Sequence, residues 1–171
     1  AVRTVVAVTE LIDVVDDVLA SLPADVVARC LVVQERAGLS GVVDRALLER
    51  VLANLVLNAA RATEPSADRA ATPLTLRIAE GLHGFVEIWV VDQGRGIPEQ
   101  LRAKALQPFQ RIGGEPGGLG LGLAIAHGFV EAMGGTLCLD DTPGGGLTVK
   151  IAVPADKTAN DPEARTAIDA F

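Results

Sequence analysis

Apolar residues at Leu48, Leu52, Leu55, Ala59 and Ala62 recur at helical spacing and predict a helix over residues 49–63 with that stripe buried. Asn54, Asn58 and Arg61 fall on another face, at spacings of four and three residues that bring their side chains within reach of one bound group. Two carboxamide oxygens and a guanidinium suit a metal-phosphate pair. The same three residues would also make an ordinary solvated helix face, and the helix alone does not decide between the two.

The pattern along the rest of the chain predicts alternating helices and strands. Residues 4–20 carry apolar positions at helical spacing and read as a helix preceded by a connector, which Pro23 ends. The β-branched run Val26 to Val33 predicts a strand, and Gly38 to Gly41 a turn. Asp44 is placed to cap the Asn-bearing helix. After a polar loop at 64–73, Leu74 to Ala79 and Phe85 to Asp92 predict a hairpin turned by Gly81 and Gly84. A short helix is expected from Leu101 to Leu106, then a glycine-rich segment at 113–118 that reads as a lid. A further helix follows from Gly118 onward and stops at Gly134-Gly135. Strands Thr136 to Leu139 and Leu147 to Val153 are joined through PGGG at 143–146, and residues 155–171 read as a polar, frayed tail.

Composition narrows the class. A chain of 171 residues fits one domain, with roughly two-thirds of its unfolded surface buried. Aromatic residues are only 3% of the chain, so the core must be built from Val, Leu, Ile and Ala. The net charge of −7 opposes sequence-independent attraction to nucleic acid or an anionic membrane, so any phosphate bound here must be held locally. Cys30 and Cys138 lie in apolar runs without a CxxC spacing and are expected as two buried reduced thiols, in keeping with a cytosolic compartment. The apolar runs are interrupted by Arg29, Asn54 or Asn58, and no transmembrane segment is expected. The chain opens on Ala1 without a signal-peptide pattern and reads as a domain excised from a longer parent.

Three further stretches carry chemistry. Phe85 to Asp92 delivers a carboxylate to the end of a strand, where ligand sites of open α/β sheets lie. In DQGRGIP, residues 92–98, two glycines let the backbone approach a flat ligand while Asp92 can accept from an exocyclic amine. A surface turn is the plain alternative for that heptad taken alone. GLGLGLAIA, residues 118–126, opens a helix with free backbone N–H groups and the positive end of a helix dipole, a cradle for a phosphate chain. It is neither a Walker loop nor a Rossmann turn. His83 in a turn and His127 within a helix read as solvated and packed residues.

The ordered set NLVLNA (54–59), DQGRGI (92–97), PFQRI (108–112), GLGLGLAI (118–125) and GGGLTVKIAVP (144–154) closely resembles the catalytic ATP-binding domain of bacterial sensor histidine kinases. That family belongs to the GHKL superfamily with gyrase B, MutL and the heat-shock chaperone ATPases. The resemblance covers residues 26–154, and the run from Ala124 to Val149 is similar to potassium-sensing kinases of the Kdp type.

The resemblance implies a two-layer α/β sandwich, a mixed sheet of about five strands with helices on one face. It implies ATP and Mg²⁺ as cofactors. Asn58 would coordinate the metal, with Asn54 as a second ligand or a phosphate contact and Arg61 near the terminal phosphate. Asp92 would accept from the adenine amine, while Gly94, Gly96 and Ile97 flank the base. Gly118, Leu119, Gly120, Leu121 and Gly122 would wrap the phosphates, and Phe109 would anchor a lid at 110–117. Two positions depart from the family pattern: Ala62 stands where an aromatic residue is common, and Leu147 where Thr is usual, which leaves Thr148 or a water to assist at the base.

Asn54 occupies the place where the hydrolases and the anti-sigma serine kinases carry a Glu base. A carboxamide cannot take up a proton, so autonomous hydrolysis should be slow. The domain organisation expected is a connector helix at 1–20 after an absent dimerisation domain, an ATP-binding domain at 21–154 and a disordered tail at 155–171. Neither His83 nor His127 fits a phosphoacceptor. The partners implied are the parent's own dimerisation and phosphoacceptor domain and a response regulator, with no nucleic acid; the fragment itself should be monomeric. A cytoplasmic position is implied, in a parent held in the bacterial inner membrane. An anti-sigma-type serine kinase and a degenerate interaction module of the same fold are the alternatives.

Overall fold

A computed structural model describes residues 3–107 and 122–157. In chain order its elements are β1 (Ala7–Glu10), α1 (Leu11–Ser21), α2 (Ala24–Val27), β2 (Cys30–Gln34), β3 (Ser40–Val43), α3 (Arg45–Ala62), β4 (Leu74–Glu80) and β5 (Phe85–Val91). They continue with α4 (Glu99–Ala105), α5 (Gly122–Ala132), β6 (Thr136–Asp141) and β7 (Leu147–Pro154).

Five strands form one mixed sheet in the order β2-β4-β5-β7-β6. Only β2 and β4 run parallel. Parallel neighbours need a crossover, and α3 lies within the one between them. The alternation on β4, β5 and β7 sends Leu76, Ile78, Val86, Ile88, Val90, Ile151 and Val153 into the core, each 2% exposed or less. Leu48, Val51, Leu52, Leu55 and Val56 of α3 meet them from the helical layer. Each such side chain contributes about 1.5–3 kcal/mol by leaving water, and α3 is the element against which α1 and α5 pack.

The opposite sheet face is open. Arg77, Trp89, Lys150 and Cys138 are successive partners across it. The Arg77 and Lys150 cations lie 4.9 and 4.3 Å from the centre of the Trp89 ring. Leu31 and Val33 stand exposed on β2. Helices on one face of a mixed five-stranded sheet are the architecture expected from the sequence.

Asp44 starts α3 as expected, its Oδ1 accepting from the Leu47 N–H at 3.1 Å. Its Oδ2 accepts from the Val5 N–H at 2.8 Å, so one carboxylate caps the helix and anchors the incoming chain.

Several sequence expectations are corrected. Residues 7–10 are a strand, because β1 finds the partner β3, which local helical spacing cannot reveal. For the same reason part of the expected turn at 38–41 is strand. Val26 lies in the short helix α2, and the strand begins only at Cys30. Leu11, Val14, Val15 and Val18 of α1 pack into the same core as the sheet and α3. Ala62 is exposed, because the buried side of the last turn of α3 runs through Ala59, Ala60 and Thr63 and leaves residue 62 on the outer side. Both cysteines are free, but Cys138 is exposed on the open face and Cys30 half-buried. The expected tail is docked at its start, where the Ala155 and Asp156 N–H groups donate to the carbonyls of Gly84 and Ser40. The rest of the tail from 158 lies outside the described residues.

Candidate functional site

The two asparagines of α3 meet the first residue of α5. Asn54 Nδ2 donates to the Gly122 carbonyl at 2.7 Å. A Cβ at Gly122 would lie 2.9 Å from Asn54 Oδ1 and 3.0 Å from Asn58 Nδ2. Only glycine therefore lets α5 start this close to the carboxamides. Arg61 Nη1 donates to Asn58 Oδ1 at 3.4 Å, so Asn54, Asn58, Arg61 and Gly122 form one cluster, as their spacing suggested.

Beyond the C-terminal end of α3 lies the loop that follows β5. Asp92 is 4% exposed. Its Oδ1 accepts from the Gly94 N–H at 2.8 Å and the Leu147 N–H at 3.1 Å. Among the described residues nothing bonds Oδ2, so the carboxylate is oriented through one oxygen and keeps an acceptor on the other. A Cβ at Gly94 would come within 2.8 Å of the Ala62 carbonyl, which places this loop against the last turn of α3, one turn beyond Asn58. At Gly96 (φ +70°) a Cβ would meet the Gly146 carbonyl at 2.9 Å. Gly146 (φ +123°) leaves no room for any side chain: a Cβ there would lie 2.0 Å from the Asp92 carbonyl oxygen. A cleft of about 380 Å³ opens beside Gly96 and Ile97 and is lined also by Asp141, Thr142 and Gly145.

Thr148 is placed differently from the expectation. It pairs with Val91 across the sheet, two residues from the Trp89–Lys150 pair and so on that face of the pleat, where it is buried at 5% exposure rather than set beside the Asp92 carboxylate. Its hydroxyl is 2.9 Å from that of Thr142. The Leu147 N–H, whose side chain looked like a departure, supplies the bond to Asp92 instead. A main-chain donor needs no particular side chain, so this contact left no signal in the sequence. Arg102 was also missed: its Nε donates to the Ile97 carbonyl at 3.1 Å. Phe109, Gly118, Leu119, Gly120 and Leu121, and the lid expected at 110–117, lie outside the described residues.

Among the described residues no group of three or more His, Cys, Asp or Glu could hold a metal ion. The donors that fit are the Asn54 and Asn58 carboxamide oxygens, neutral ligands suited to Mg²⁺ that arrives with phosphates and keeps its waters. His83 is an exposed turn residue with φ +54°. His127 lies on α5 with Nε2 3.4 Å from Glu131 Oε1, on the very helix that opens at the Asn cluster.

Residues 43–157 match the family described as histidine kinase-, DNA gyrase B- and HSP90-like ATPases, and the chain belongs to that family. It is 46% identical over 119 residues to the sensor protein KdpD of Mycobacterium tuberculosis (strain CDC 1551 / Oshkosh), an alignment covering 67% of this chain and 13% of that protein. The chain thus spans a small part of such a relative. The structure is similar to a mycobacterial sensor histidine kinase, MprB, with a TM-score of 0.72 at 27% identity over 88% of this chain and 98% of the other. It also shares its fold with full-length ShkA, solved in complex with AMPPNP, with a TM-score of 0.75 at 22% identity over 93% of this chain and 33% of that one. The fold is that of histidine kinase catalytic domains.

Proposed function

We propose that this chain is the ATP- and Mg²⁺-binding catalytic domain of a two-component sensor histidine kinase. The observation that carries the reading is Asp92: a buried carboxylate held by two backbone amides through Oδ1, with Oδ2 left to accept from an adenine amine. Gly94, Gly96 and Ile97 flank the base. Asn58 and Asn54 would hold Mg²⁺ through their carboxamide oxygens, with Arg61 placed for the terminal phosphate. Bound Mg²⁺ supplies charge neutralisation on the phosphates. By the likeness in sequence, Gly118 to Gly122 would serve the phosphate chain and Phe109 the lid; all of these but Gly122 lie outside the described residues.

Asn54 cannot act as a base, so the chain presents the terminal phosphoryl group to a nucleophile supplied elsewhere. That nucleophile is a histidine on the parent's dimerisation domain, and an aspartate of a response regulator receives the phosphoryl group next. His127 has an acidic neighbour, but its place on α5 ties it to the nucleotide side. The domain works on the cytoplasmic side of a membrane-held parent, as a monomer by itself, and the KdpD likeness favours a potassium or osmotic stimulus. Among the described residues no helix is long and apolar enough to cross a membrane.

Calorimetric titration with a non-hydrolysable ATP analogue, with and without Mg²⁺, tests the reading. Saturable binding that Mg²⁺ strengthens and Asp92→Asn abolishes is expected. Absence of binding to both this chain and its longer parent would favour an interaction module without nucleotide.

A further inference from the structure

Between Asp92 and α4 the chain runs without regular structure, yet the proposed function asks it to present a flat surface to a base. Its first half is anchored by the Asp92 carboxylate and the Gly146 contact. Its second half is held by Arg102. The guanidinium is a planar fork: Nε donates to the Ile97 carbonyl at 3.1 Å, and Nη2 donates to Asp141 Oδ1 at 2.6 Å.

Those two acceptors belong to residues from different segments that both line the 380 Å³ cleft, Ile97 on the loop and Asp141 at the end of β6. The Arg102 side chain is 17% exposed while that of Asp141 is 83% exposed. The outer ion pair is therefore well screened and contributes little, whereas the inner bond to the carbonyl is shielded. One residue thus ties the Gly96–Ile97 segment to its own helix and to the β6–β7 turn against which Gly96 packs.

We propose that Arg102 is a positioning residue for nucleotide-base recognition, holding the 94–97 loop in its binding shape before the ligand arrives. This rests on the reading of Asp92 as the base acceptor. A preformed loop avoids the ordering cost on binding, and losing that shape removes affinity and base discrimination together. The Asn54–Asn58 cluster on α3 takes no bond from Arg102, so magnesium dependence is independent of it.

The test compares wild type, Arg102→Lys and Arg102→Gln by titration with AMPPNP and its guanine counterpart, with and without Mg²⁺, alongside unfolding midpoints. Lysine keeps the charge and most of the stem but cannot place a planar N–H on Ile97 while reaching Asp141. Both variants are expected to bind AMPPNP about tenfold more weakly, with adenine-over-guanine preference falling similarly, an unchanged Mg²⁺ ratio and a folded, cooperative protein. Arg102→Lys with wild-type affinity and preference overturns the proposal. So does a variant whose only change is loss of folding, which would make Arg102 merely structural. Wild type that fails to bind AMPPNP, or Asp92→Asn that binds like wild type, removes the reading of the site itself; intact dependence on Asp92 with insensitivity to Arg102 removes the positioning role alone.

Discussion

Asp92 and Leu147 bond to each other twice. The Asp92 N–H donates to the Leu147 carbonyl at 3.0 Å, and the Leu147 N–H donates to Asp92 Oδ1 at 3.1 Å. The Asp92 side chain is thereby continued into the hydrogen-bond ladder of β5 and β7, and it inherits the rigidity of the sheet. That is why a loop-facing carboxylate can be both buried and oriented.

Asp92→Asn is expected to lose ATP-analogue affinity by a factor on the order of 100. The amide can still accept from Gly94 and Leu147 through one oxygen, but it then turns a donor toward the adenine amine, and a charge-assisted bond is lost. Calorimetry reads the change, and affinity equal to wild type would dismiss the adenine assignment.

Asn58→Ala should abolish the strengthening of binding by Mg²⁺ while leaving adenosine affinity within about twofold, because the metal ligand and the base acceptor are separate groups. Equal losses for ATP analogue and adenosine would argue against a metal role.

Gly122→Ala puts a methyl within 3.0 Å of both carboxamides. Either α5 shifts or the asparagines turn away, at a cost of about 1–3 kcal/mol in unfolding free energy. Magnesium-dependent binding should fall with it. Denaturant unfolding and titration together check this, and a variant unchanged in both would show that the cluster is slack.

Asp44 has its carboxyl pKa held below the usual value, first by the Val5 amide and then by that of Leu47. A depressed pKa in the folded state adds stability above the unfolded value of about 3.9, and that stability is lost as pH falls through the folded value. The melting-temperature gap between wild type and Asp44→Ala should therefore be constant above about pH 5 and shrink below about pH 4. A gap that widens on acidification would contradict the cap.

Cys138 should react with a thiol-alkylating reagent well before Cys30. Cys138 is exposed, whereas burial pushes the Cys30 thiol pKa up, an effect the neighbouring Arg29 only partly offsets. Mass-spectrometric peptide mapping during alkylation gives the order, and faster loss of the Cys30 thiol would refute it.

Residues 48–61, 74–92 and 136–153 were legible from the sequence because their patterns are local. A helix writes its buried stripe at every third or fourth residue, and a hairpin writes alternation on both sides of its turn. The Asn54–Asn58–Arg61 cluster was legible for the same reason, since one helix sets all three positions. Asp92 could be singled out because it ends a strand and precedes two glycines.

Long-range pairing decided the rest. Residues 7–10 became a strand because β3 lies within reach, and Cys138 was exposed because β6 turns that position to the uncovered face. Thr148 went to the Lys150 side of the pleat, buried against Thr142, and the main-chain N–H of Leu147 took the bond to Asp92. The helix stripe, the hairpin and the identity of the chemical groups were determined by the sequence alone, because nearest-neighbour geometry carries them. Which groups meet, and through which atoms, was decided by the tertiary structure, because strand register and backbone donors carry no residue-type signature.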